Sequence, residues 1–62
     1  MKFKEFMDMY DNWNGITVVN NNNLEKIVEG ETLSVVDNHT ELYDRKVIAF
    51  GFYDDVFYVR IT

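Results

Sequence analysis

The sequence predicts a small α+β domain, and three segments carry that prediction: an aromatic stripe at helical spacing in the first eleven residues, a β-branched run at Ile16–Val19, and a C-terminal stretch that folds on itself as a hairpin. Sixty-two residues make one domain, 1–62, with no room for a second core. A chain this short buries only about 60% of its unfolded surface, so its stability is expected to be marginal. Small domains usually add disulfides, a metal or a partner. Cysteine is absent and His39 is the single histidine, which excludes disulfides, thiolate zinc and histidine-rich metal sites. Aromatic packing or self-association remains, and 16% of the residues are aromatic.

Phe3, Phe6, Met7 and Tyr10 fall at i, i+3, i+4 and i+7, so residues 2–11 are predicted as an amphipathic helix with Lys4, Glu5, Asp8 and Asp11 mostly on its other face. Asn12-Trp13-Asn14-Gly15 ends it in a turn, with Trp13 expected to fold back on the core. Ile16–Val19 follows as a strand. Four asparagines, 20–23, follow, and one of the last two is expected to cap a short helix whose apolar side is Leu24, Ile27 and Val28 and whose C-cap is Gly30. Thr32–Val36 alternates, with Leu33 and Val35 to one side, and is expected to be a strand. Asp37–Asp44 is a connection with one helical turn, since Asn38 and Glu41 have capping-box spacing.

The last sixteen residues are the most informative. A turn at Asp54-Asp55 sets Phe52 against Phe57, Phe50 against Val59 and Ile48 against Ile61, all apolar and all on one side. The other side then carries Tyr53 with Val56, Gly51 with Tyr58, Ala49 with Arg60 and Val47 with Thr62. A slip of one residue would mix the two faces. Asp-Asp is a poor two-residue turn, so a four-residue loop over Tyr53–Val56 is expected with the same pairing. Mid-strand Gly51 marks a bulge or a seat for the Tyr58 ring. The expected architecture is a mainly antiparallel sheet of about four strands, with the N-terminal helix on one face and a short second helix.

Function is less legible. The net charge of −5 disfavours direct nucleic-acid binding, and no apolar run is long enough to span a membrane. With no cysteine and no apolar leader, the cytoplasm is the expected compartment. Val47, Ala49, Val56, Tyr58 and Arg60 form a sheet face too apolar for plain solvation. Either the Leu24–Val28 helix covers that face, or it is a surface for another protein or a second copy, giving a homodimer. Glu5, Asp8 and Asp11 form an acidic flank, read first as a solvated surface and alternatively as an inhibitor's imitation of nucleic acid. Asparagine and tyrosine richness resembles the composition of small reading frames on mobile elements of low-GC bacteria, a resemblance that implies no particular function. Asp54-Asp55 at a hairpin tip has no cleft to tune a catalytic carboxylate. Asp37, His39, Glu41 and Asp44 match no cation loop, and Asn38-His39-Thr40 is a glycosylation triplet only in an exported chain. The reading is therefore a non-enzymatic protein-interaction module, with no cofactor, metal or small-molecule ligand expected.

Overall fold

A computed structural model describes residues 1–10 and 15–62, as an α+β fold of two helices and a four-stranded mixed sheet. In chain order the elements are α1 (Phe3–Met9), β1 (Gly15–Asn20), β2 (Lys26–Glu31), α2 (Thr32–Asn38), a 3-10 turn (Thr40–Leu42), β3 (Val47–Tyr53) and β4 (Val56–Ile61). Across the sheet the order is β2-β1-β4-β3. β1 runs parallel to β4 at the centre, while β2 and β3 are antiparallel edges. The mainly antiparallel sheet and its C-terminal hairpin match the expectation. Asp11, Asn12, Trp13 and Asn14, including the predicted turn and the placing of Trp13, lie outside the described residues.

One face of the sheet holds the core. Ile16 and Val18 of β1 lie beside Phe57 and Val59 of β4, and Phe3 and Met7 of α1, Val35 of α2 and Leu42 of the 3-10 turn close over them with Ile61. The helical spacing in α1 therefore does what it predicted, with Phe6 and Tyr10 partly buried along the same side. Lys2 donates its backbone N–H to the Glu5 carboxylate at 3.1 Å, which fixes the first turn. The residues ahead of α1 form a strap. Lys2 bridges Lys46 antiparallel, Phe3 N–H donates to the Arg45 carbonyl at 2.7 Å, and Val47 N–H donates to the Met1 carbonyl at 2.9 Å.

Two predicted elements are exchanged. The segment read as a helix at Leu24–Val28 is loop and then strand β2, and the strand read at Thr32–Val36 is helix α2. The asparagine side chains explain the first. Asn20 Oδ1 accepts the Asn22 N–H at 2.8 Å, and Asn23 Oδ1 accepts the Glu25 N–H at 3.0 Å. These Asx turns satisfy the backbone inside the loop instead of capping a helix. Leu24 takes a positive φ of 60° there, returning the chain to pair with β1. In α2 the buried residues are Thr32 and Val35, three apart, while Leu33 is exposed. Packing under the sheet overrides the β-branched preference for a strand. Gly30, just ahead of α2, takes a φ of 154°, a backbone conformation that other residues rarely adopt. The connection does contain a helical turn, but His39 stands at its cap with no side-chain bond, so the Asn38–Glu41 capping box is absent.

The hairpin register is as predicted from Tyr53 back to Ala49: Phe52 faces Phe57, Gly51 faces Tyr58, Phe50 faces Val59 and Ala49 faces Arg60. Two details are corrected. Tyr53 pairs with Val56, so the loop has two residues and not four, with Asp54 and Asp55 at φ 50° and 64°. Positive φ at both positions is the type I′ signature, whose twist suits the hairpin, and aspartate tolerates it better than most residues. At the far end a bulge between Val47 and Ala49 pairs Val47, not Ile48, with Ile61. Val47 consequently packs on the core, contrary to its expected place on the outer face, and Ile48 is exposed. Replacing Asp54 by Asn and Asp55 by Gly should raise stability by about 1 kcal/mol, because the I′ turn then carries its preferred pair. A urea midpoint that rises at unchanged slope is the expected reading; no change would mean the turn is not strained.

A candidate docking surface on the hairpin

Because the Leu24–Val28 segment is not a helix, no helix among the described residues lies over the outer sheet face. The predicted surface residues divide. Ala49 and Val56 are half-buried, Tyr58 is 38% exposed and Arg60 is exposed, whereas Val47 has turned into the core. Thr17, between Glu29 and Tyr58, is buried on that face. Tyr53 stands edge-on to Tyr58, with ring centroids 6.4 Å apart.

The stronger feature was not expected. Phe50 and Phe52 point to the core side, yet they remain 64% and 58% exposed. β3 is an edge strand, so the layer of helices ends before it does. Their rings lean on Phe57, at 6.1 and 5.1 Å, and Phe6 meets Phe50 at 4.9 Å. Phe57 itself is stacked beneath Phe6 and Tyr10. The result is an open groove of about 270 Å³ lined by Phe6, Met9, Tyr10, Phe50, Phe52 and Phe57, almost wholly apolar. Large exposed apolar rings side by side mark a contact surface more often than isolated ones do.

The two edges of the sheet are unlike. β2 carries Lys26, Glu29 and Glu31 and a register shift against β1, devices that discourage strand addition. β3 is Val-Ile-Ala-Phe-Gly-Phe-Tyr, without a charge. Its first end is covered by the strap at Lys2–Lys46, and from Ile48 onward the described residues place no strand on its outer side, away from β4.

The polar candidates do not converge. Lys4 holds Asp8 across one turn, and that hydrogen bond raises the Lys4 pKa above its usual value. Glu5 accepts from Lys2, and Asp11 lies outside the described residues. His39 Nδ1 is 3.3 Å from Glu41, and Lys2 is 3.5 Å from Asp44. No cluster of three metal-ligating side chains occurs among the described residues. A second hollow, of about 340 Å³, separates α1 from α2 and is rimmed by Lys4, Asp8 and Asp37. No helix among the described residues is long and apolar enough to cross a membrane.

Comparison with protein-family models, with curated proteins and with solved structures found no match. The site must therefore be read on its own chemistry.

Proposed function

We propose that this chain is a small, non-enzymatic protein-interaction module that docks through its C-terminal hairpin. The observation that supports it is the concentration of exposed apolar side chains along one uncharged edge strand: Ile48, Phe50, Phe52 and Tyr53, with Tyr58 behind them. An edge of this kind adds a strand from a partner through main-chain hydrogen bonds, while the flanking aromatic side chains supply affinity. The surface expected from sequence, Ala49, Val56, Tyr58 and Arg60, adjoins this edge and becomes its outer flank. Lack of cysteine fits a cytoplasmic setting. The alternative, an inhibitor presenting Glu5, Asp8 and Asp11 to a basic groove, has less support, because Glu5 and Asp8 already serve α1.

A photoreactive phenylalanine analogue in place of Phe52, in the chain expressed in its native host, should form a discrete protein adduct. The same analogue at Glu29, on the opposite edge, should not. Adducts at both positions in equal amounts would defeat the reading.

A further inference from the structure

We infer that the occupant of the β3 edge is a second copy of this chain, paired antiparallel about a two-fold axis at Gly51; this rests on the docking reading above. The free edge fixes the register. A two-residue hairpin closes on a hydrogen-bonded pair, here Tyr53 with Val56, so the alternate residues Phe52 and Phe50 turn their N–H and C=O groups outward. Two copies of β3 related by an axis normal to the sheet can therefore exchange bonds between Phe50 of one and Phe52 of the other, twice. Gly51 then faces Gly51, Ala49 faces Tyr53, and Ile48 meets the second copy's Asp54.

Three independent features favour this register. The strap leaves the edge open only from Ile48, and the second copy's strand turns away at Asp54, where the strap begins. Moving the strands together by one more pair would drive Tyr53 into Met1, which bonds Val47. Next, the most exposed phenylalanines, Phe50 and Phe52, come side by side over the two aromatic grooves, while each Tyr53 ring, 74% exposed, lies over the small Ala49. Finally, charge is complementary despite the net −5. The acidic tip Asp54-Asp55 of each copy lands beside Lys46 of the other, at the strap. Lys46, Asp54 and Asp55 have no ion-pair partner among the described residues of one chain. Overall repulsion is screened beyond about 8 Å at physiological salt, whereas these local pairs are not.

Gly51 offers a test that spares the monomer. A Cβ placed there meets nothing within 4 Å, so Gly51→Lys and Gly51→Cys should both fold. The chain should sediment as a dimer at high micromolar concentration, and Gly51→Lys should weaken that dimer by about tenfold or more by setting like charges face to face. Gly51→Cys, with oxidised glutathione as the oxidant, should form an inter-chain disulfide, because a non-hydrogen-bonded pair brings its Cα atoms to about 4.5 Å. A chain that stays monomeric overturns the proposal, and adducts at Phe52 with a different protein would then leave the docking reading standing. Monomer without adducts would end both. A dimer that tolerates Gly51→Lys and forms no disulfide uses another surface and also overturns it.

Discussion

Phe57→Ala should remove most of the folding free energy of this domain. The side chain is 3% exposed, stacks on Phe6 and Tyr10 from below, and supports Phe50 and Phe52 at the edge. Truncating a buried phenylalanine costs about 3–5 kcal/mol, part of it for the cavity left behind. At ~0.05–0.15 kcal/mol per residue, a domain of this size has only about 3–9 kcal/mol to lose. Urea unfolding followed by far-ultraviolet circular dichroism should show the variant partly unfolded without denaturant. Phe52→Ala is the matched control, since the same atoms leave a ring already more than half in water. Measured at low micromolar concentration, below the range in which the chain pairs, it should cost less than about 1 kcal/mol. Equal losses in the two variants would mean that the edge ring is as much core as the central one, and the surface described above would not exist.

That contrast between two phenylalanines facing each other also shows where the sequence stops being legible. Their pairing is readable, because strand side chains alternate with period two and a one-residue slip would invert the whole face. Their different burial is not. It depends on β3 lying at the edge of the order β2-β1-β4-β3, a fact decided by the parallel contact between β1 and β4, far apart in the chain. Alternation told which way Phe50 and Phe52 point but not that the helical layer ends short of them. The exchange of helix and strand between residues 24 and 38 has a local cause. Leu24, Ile27 and Val28 suit one helix face, yet so short a run fits a strand equally well, and the Asn20 and Asn23 side-chain bonds that decided it are contacts rather than patterns. Thr32, Val35 and Val36 did carry a helical spacing, hidden behind the β-branched residues. The bulge that turned Val47 inward left no mark, because Val47 and Ile48 are equally apolar. Among the predicted surface residues, Ala49, Val56, Tyr58 and Arg60 kept their face because they lie on the regular side of that bulge.

The strap implies a second large effect. Phe3 is fully buried and anchors Met1 and Lys2 against Arg45–Val47, so one side chain joins the core to the closure of the sheet edge. Phe3→Ala should cost about 3–5 kcal/mol, comparable to Phe57→Ala, but with a different local consequence. Loss of the anchor uncovers the first part of β3 and lengthens an already uncharged edge, the condition under which strands pair indiscriminately. Because the alanine variant sits near the limit of stability, the milder Phe3→Leu separates the two consequences, at a cost below about 1.5 kcal/mol. In native-state hydrogen exchange the Val47 amide, bonded to Met1, should lose protection in Phe3→Leu while the Val59 amide at the sheet centre keeps most of its own. The same variant should aggregate faster at concentrations where the parent does not. Uniform loss of protection at both amides would show that the strap opens only with the whole domain. Phe3 would then be ordinary core, and the limit that the strap sets on edge pairing would be as permanent as the fold itself.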